Sequence, residues 1–290
     1  MKYIHSLWLR NFNYQYLIDN FHLYLLSALL IKKHGYEIEL FCDKESFNFY
    51  KIIPYNKINI IDYTVDEISS NFWVWSKIKP QLMMNETYVH IDADVFLFND
   101  IIGNKLSCGE YSAVVQSTEN KKTIGDGYYR CYVDAINPFK KYIKYNIDWN
   151  KYEMQSYNCG VVGFSDMQIK NEYCCLVKNL LVELSKDKTF KFNPDVHFGA
   201  HIMSEQTLLY YLLNNKKIKT HQIIEYDDSK ETDYIWKSKI PENIGYCHMW
   251  SNSKYQYEVK NKIINKIKKL FPESINVLNS FDNMKNKLKF

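Results

Sequence analysis

The chain has 290 residues, 46% hydrophobic and 24% charged, with a net charge of +4. That is enough apolar material for a full core, in one large domain or two smaller ones, and one is the simpler expectation. The positive charge rests on 35 lysines, with only Arg10 and Arg130 beside them; no arginine-bearing basic stripe precedes the C-terminal residues, so a nucleic-acid partner is not expected.

Seven cysteines form no CxxC pair, which reads as reduced thiols of a cytoplasmic protein. The opening MKYIHSLWLR lacks the apolar run and cleavage site of a signal peptide. The longest apolar stretch, Phe21 to Ile31, is shorter than the roughly 20 residues a bilayer span needs.

Tyr3 to Leu9 reads as a first strand, and Tyr16 to His34 as a helix, with Leu17, Phe21, Leu25 and Leu29 every four residues and Gly35 at its end. GYEIELFCD alternates as a second strand, and Ile58 to Asp62 is a third. The pattern over Glu67 to Met84 predicts a helix carrying Phe72, Trp73, Trp75, Ile78 and Leu82, bent or ended early by Pro80. Alternation of this kind argues for a largely parallel sheet, which binds ligands beyond the carboxyl ends of its strands.

The next strand, Tyr88 to Phe98, is the centre of the chain: YVHIDADVFLF runs apolar into Asp92 and Asp94 and continues apolar. Residues two apart on a strand point the same way, so the two carboxylates can share one divalent cation. No lysine or arginine stands within the stretch to pair them, and burying them uncompensated would cost several kcal/mol. A metal, or a partner distant in sequence, is required.

Tyr111 to Gln116 is a further strand, followed by a loose, aromatic-rich insertion, Ser117 to Lys151, suited either to stacking on a sugar or to a lid without substrate contact. SYNCGVVGF, Ser156 to Phe164, is a strand whose glycines imply close backbone approach. Helices over Asp166 to Lys186 and Ser204 to Asn214 follow, the second opening with a capping Ser-Glu-Gln. A strand over His221 to Tyr226 and a last strand and turn, Ile244 to Lys254, precede the lysine-rich residues 255–290.

Taken singly, an Asp-x-Asp triplet, one histidine and one lysine are common and uninformative. In order, four segments resemble a family: metal-dependent glycosyltransferases of the GT-A fold, nearest to the retaining type of glycogenin and the bacterial lipooligosaccharide galactosyltransferases. They are Trp75-Ser76-Lys77 with Tyr88 to Val95; Asn158-Cys159-Gly160-Val161, similar to the family's N-A-G-V; Glu205-Gln206, where the family usually has Asp-Gln; and His248 to Lys254, matching the spacing of H-x-x-G-x-x-K. Ser251 replaces that glycine, and Tyr255-Gln256 stand where Pro-Trp usually follows.

The resemblance implies an α/β, Rossmann-like GT-A domain over 1–254, with a mixed, mainly parallel central sheet flanked by helices; the lysine-rich residues 255–290 read by their own pattern as a basic helical tail. It implies Asp92, Asp94 and His248 as ligands of Mn²⁺ or Mg²⁺; Asp92, Lys77, Lys254, His5 and Ser6 as contacts to a nucleotide sugar, UDP-linked; and Asn158, Glu205 and Gln206 at the reacting sugar. Two carboxylates and an imidazole leave room for two phosphate oxygens in octahedral coordination. An amide such as Gln206 is a poor nucleophile, so retention through an oxocarbenium-like ion pair is preferred, the departing phosphate taking the acceptor's proton and Glu205 standing by as a base. The implied partner is a glycan or lipid-linked acceptor in surface polysaccharide synthesis.

The tail carries nine lysines from Lys254 onward, with Ile263, Ile264, Ile267, Leu270 and Phe271 on a partial apolar face. It can lie on anionic lipid at the inner face of a membrane or pack on the domain with its lysines in water. Two other functions stay open. A sugar nucleotidyltransferase would carry a glycine-rich loop after the first strand, and Leu7 to Tyr16 contains no glycine. A noncatalytic glycan- or nucleotide-sugar-binding protein of the same fold is the other.

Overall fold

The computed structural model describes residues 1–9, 14–103, 105–124, 129–130, 133–134, 136–143, 154–187, 194–224, 245–249 and 252–287. Its principal elements in chain order are β1 (Lys2–Leu7), α1 (Tyr14–Lys33), β2 (Glu37–Cys42), α2 (Lys44–Tyr50), β3 (Lys57–Ile60), α3 (Trp75–Met83), β4 (Tyr88–Ile91), β5 (Val95–Leu97), β6 (Ala113–Glu119) and β7 (Ser156–Phe164). They continue with α4 (Met167–Lys186), α5 (Pro194–His201), α6 (Leu208–Asn215), β8 (Thr220–Gln222), β9 (Tyr246–His248), α7 (Tyr257–Leu270) and α8 (Ile275–Lys287). The protein is α/β, with a mixed, mainly parallel central sheet flanked by helices. By contacts the chain divides into two compact units, each assembled from separated stretches.

The first unit comprises Lys2–Ile61, Ile91–Ile101 and Thr232–Phe290. Its strands β1, β2 and β3 are parallel, in the order β3-β2-β1, with α1 and α2 as the crossovers. The α1 helix is buried almost all round from Leu17 to Ile31, including Asn20, His22 and Ser27, which a four-residue apolar period does not reveal. It ends where Gly35 takes φ +81° and its N–H returns to the Lys32 carbonyl at 2.9 Å. Asp43 caps α2, accepting the Ser46 N–H at 2.7 Å, while its other oxygen accepts the Leu9 N–H.

The C-terminal helices α7 and α8 pack within this unit. Val259, Ile263 and Ile267 of α7 are buried, and Phe281 of α8 stacks on Phe21 of α1 with ring centroids 3.8 Å apart and planes at 7°. The apolar face read from the tail is therefore covered by the protein itself. Among the described residues no helix is long and apolar enough to cross a membrane.

The second unit comprises Asp62–His90 and Ile102–Glu231, with Met1. Its strands run β4-β7-β6-β8, with β6 antiparallel to β7 and parallel to β8. All nine residues of β7 are buried. A Cβ on Gly163 would lie 2.7 Å from the Tyr88 carbonyl oxygen and 2.9 Å from Val89 Cγ2, so the close approach expected of this glycine is made by β4.

Four expectations change. The helix expected from Glu67 begins at Trp75, because Glu67 takes φ 56° and the bonds Phe72 N–H to Ser69 O and Trp75 N–H to Phe72 O close isolated turns ahead of it. Pro80 does not end that helix: it lies inside α3, and the Tyr63 hydroxyl points from 3.5 Å at the Ser76 carbonyl that a proline cannot engage. Ser204 is no cap, since the helix already runs from Pro194 through a π-helical stretch, Ile202–Thr207, into α6, and the Ser204 hydroxyl donates back to the Ala200 carbonyl at 2.6 Å. The strand expected over His221–Tyr226 is β8, Thr220–Gln222, while 225 and 226 lie outside the described residues, as does much of the insertion over 117–151.

Candidate metal and diphosphate site

A fifth correction concerns the aspartates. The expected strand is broken: β4 stops at Ile91, β5 starts at Val95, and Asp92, Ala93 and Asp94 make the turn between them, closed by the Val95 N–H on the Asp92 carbonyl at 3.0 Å. A turn, rather than strand alternation, brings the carboxylates together. It also leaves Asp92 partly exposed while Asp94 is buried.

His248 reaches this turn through sheet pairing. In the antiparallel β5–β9 ladder Val95 is opposite His248, and the next N–H, of Met249, donates to the Asp94 carbonyl at 2.9 Å. Gly245 precedes β9 with φ +77°, and its carbonyl accepts the Phe98 N–H at 2.9 Å. One ligand atom from each of Asp92, Asp94 and His248 lies within 4.8 Å of the others. Ligands of one Mg²⁺-sized ion at about 2.1 Å lie roughly 3 to 4.2 Å apart, so small side-chain movements suffice. Two hard oxygens and one imidazole nitrogen fit Mn²⁺ or Mg²⁺.

Lys254 completes the group. Its ammonium donates to Asp94 Oδ2 at 2.5 Å, and His248 Nε2 lies 3.6 Å from Asp94 Oδ1. Burial alone would raise the Asp94 pKa, but the Lys254 charge and then the His248 hydrogen bond outweigh it and hold the carboxyl well below the usual carboxylate range. Burial likewise opposes the charged Lys254, and Asp94 reverses that, holding its pKa above the usual lysine value.

His5 lies beneath the turn. Ser27 Oγ donates to the Val95 carbonyl at 2.8 Å, and His5 Nε2 is 3.1 Å from the same Oγ. Because Ser27 has one hydrogen and gives it to Val95, His5 Nε2 is the donor and Nδ1 accepts the Tyr55 hydroxyl at 2.8 Å. That is a neutral imidazole, and burial lowers its pKa to about 3, the Asp94 charge opposing. The ring is thus fully buried with both nitrogens engaged, and it supports β5 one residue from Asp94. Ser6 is half-buried, and its carbonyl accepts the Tyr24 hydroxyl at 2.8 Å.

The remaining candidates belong to the second unit. Lys77 donates to Glu205 Oε1 at 2.8 Å and lies 4.9 Å over the Trp73 ring. Glu205 and half-buried Gln206 are in the π-helical stretch, a distortion that often marks functional sites; the Glu205 carbonyl accepts the Tyr173 hydroxyl at 2.9 Å. Asn158 is fixed at both ends of its amide, Nδ2 donating to Glu119 Oε1 at 2.7 Å and Oδ1 accepting the Gly160 N–H at 3.0 Å. Glu119 is only 3% exposed. The sequence pattern ends β6 at Gln116, three residues short of Glu119, although an acidic residue finishing an apolar strand is a signal that marks it.

Residues 1–281 match the signature of a family of unknown function, DUF6734. No curated protein matches the chain. Among solved structures, the galactosyltransferase LgtC in complex with donor and acceptor sugar analogues is similar at 10% identity and TM-score 0.39, over 70% of this chain and 70% of that one. Mouse xyloside xylosyltransferase 1 is similar at 10% identity and TM-score 0.39, over 76% and 83%. Core-mannan synthase A from Aspergillus fumigatus, in its Mn/GDP form, is similar at 13% identity and TM-score 0.39, over 76% and 72%.

Proposed function

The chain belongs to DUF6734 over residues 1–281, and we propose that it is a metal-dependent glycosyltransferase of the GT-A type, moving a sugar from a UDP-linked donor to a glycan or lipid-linked acceptor of surface polysaccharide synthesis. The observation that carries this reading is the convergence of Asp92, Asp94 and His248, with Lys254 on the same aspartate. A cation held there supplies Lewis-acid stabilisation to a departing diphosphate. Lys254 adds a mobile point charge for phosphate oxygens.

In the same proposal Asn158 and Gln206 act on the donor sugar, with retention. Glu205 would have to give up its Lys77 ion pair to serve as a base, which favours the route in which the departing phosphate takes the acceptor's proton. His5 supports the metal turn from within, and a nucleotide is met instead by groups around Ser6 at the end of β1. In this reading the protein works at the cytoplasmic side.

The test is a thermal-shift panel of UDP, GDP, CDP and ADP, each with and without Mn²⁺, on wild type and Asp94→Asn. A ligand at about 100 times its dissociation constant adds roughly 2.7 kcal/mol. One nucleotide stabilising only with metal, and losing that effect in Asp94→Asn, supports the reading; no shift with any nucleotide sinks it. Hydrolysis of the matching nucleotide sugar then separates an enzyme from a binding protein.

A further inference from the structure

Both carboxylate oxygens of Asp94 are engaged within the protein. Oδ1 faces His248 Nε2, a prospective fellow ligand, but Oδ2 is held by the Lys254 ammonium. Lys254 is not stranded there. It has four methylenes of reach, lies 5.6 Å from the centroid of the Tyr255 ring, and retains 19% side-chain exposure. Tyr255 in turn points its hydroxyl at Asn20 Oδ1 of α1, 3.4 Å away, so the backbone from which the lysine swings is tethered near the turn.

A cation on Asp92, Asp94 and His248 and the ammonium on Asp94 Oδ2 would be like charges sharing one carboxylate. At a few ångströms, in a largely buried setting, salt screens that repulsion far less than it would at the surface. A diphosphate changes the balance, since its oxygens accept the ammonium and also fill the cation's open positions. We infer that Lys254 makes this site selective for a cation and a diphosphate arriving together: it competes with the cation alone for Asp94, and a diphosphate removes the competitor. The inference rests on the metal-diphosphate reading and adds an energetic role to a lysine that would otherwise only attract phosphate.

The coupling is reciprocal. Whatever factor UDP adds to Mn²⁺ affinity, Mn²⁺ adds to UDP affinity, and such factors are typically about 5 to 150. Removing the ammonium should split the two ligands, because the cation loses a competitor and the diphosphate loses a partner.

The experiment measures Mn²⁺ binding by the electron paramagnetic resonance of the free ion, alone and with UDP, after correction for the Mn–UDP complex in solution. Wild type, Lys254→Met, Lys254→Gln and Lys254→Arg are compared. Met removes the charge at similar length, Gln does so with a polar end if Met does not fold, and Arg keeps the charge. The expected result is that Met and Gln bind Mn²⁺ alone about tenfold tighter than wild type and lose most of the gain from UDP, while Arg keeps both wild-type values. The inference is overturned if Met and Gln bind Mn²⁺ alone no tighter than wild type while UDP still tightens it. Absence of Mn²⁺ binding in every protein, with or without UDP, overturns the metal-diphosphate reading itself, and is told apart from the previous result by wild type alone.

Discussion

Lys77 and Glu205, 128 residues apart in the chain, meet at 2.8 Å with side chains only 12% and 3% exposed. Removing one partner of such a pair leaves a buried charge without compensation, which costs more than the pair itself contributes. Lys77→Met should therefore lower stability by about 3–5 kcal/mol in urea unfolding at neutral pH. The double variant Lys77→Met/Glu205→Leu should recover most of that. If the double variant is as unstable as the sum of both single changes, the two residues are not coupled in the folded protein.

The fold was legible where one physical cause dominated. The full burial of β7 follows from SYNCGVVGF, and Asp166 caps α4 where the helix was expected to begin, accepting the Gln168 N–H at 2.9 Å. Asp92, Asp94 and His248 stand out in the sequence for two different reasons: two carboxylates in an otherwise apolar stretch demand a partner, whereas His248 is marked only by the H-x-x-G-x-x-K resemblance, and the structure brings one ligand atom of each within 4.8 Å of the others. What could not be read was how they meet: a turn at 92–94 and the pairing of Val95 with His248 depend on a tertiary hydrogen bond from Ser27 and on a ladder formed across 153 residues of chain. The buried roles of His5 and Glu119 were hidden for the same reason, since each is defined by partners far away in sequence.

Two buried histidines set the acid limb of stability. Burial lowers His5 to about 3 from 6.5, and lowers His22 to about 3, with Lys260 and then Lys285 adding to the effect. Both folded pKa values lie below the unfolded one, so their contribution is complete above about pH 6.5 and is lost as pH falls toward 3. In that window the unfolded chain binds the protons first. Between pH 6.5 and 4.5, before most carboxylates titrate, each histidine should contribute a slope approaching 1.4 kcal/mol per pH unit. His22 Nδ1 has no hydrogen-bond partner among the described residues, so His22→Gln is the variant to compare. Urea unfolding across that range should show a shallower slope for the variant; equal slopes would mean that His22 is not held neutral.

Asp92 and Asp94 should fail differently. Asp94 supports the Lys254 ammonium, and Asp94→Asn should cost about 3 kcal/mol before any ligand is added, the lower end for a broken buried pair because Lys254 reaches water. Asp92 is partly exposed, and Asp92→Asn should change stability by about 1 kcal/mol or less. Both should abolish stabilisation by Mn²⁺ with nucleotide. A thermal-shift series in which Asp92→Asn keeps the full Mn²⁺-dependent shift would remove Asp92 from the ligand set.

The C-terminal helices are expected to behave as core, not as an appendage. Phe281 is 1% exposed and stacked face to face on Phe21, and His22 meets the same ring edge-on at 5.4 Å. Phe281→Ala should therefore cost about 3–5 kcal/mol, the range for a large aromatic removed from a packed interior. The lysines of α7 provide the contrast. Lys262, Lys268 and Lys269 are exposed, and replacing any one by Gln should change stability by no more than about 0.5 kcal/mol. Urea unfolding of the four variants decides it: a small effect for Phe281→Ala would mean that α8 detaches from α1 at little cost in solution, leaving the apolar face of the tail accessible after all.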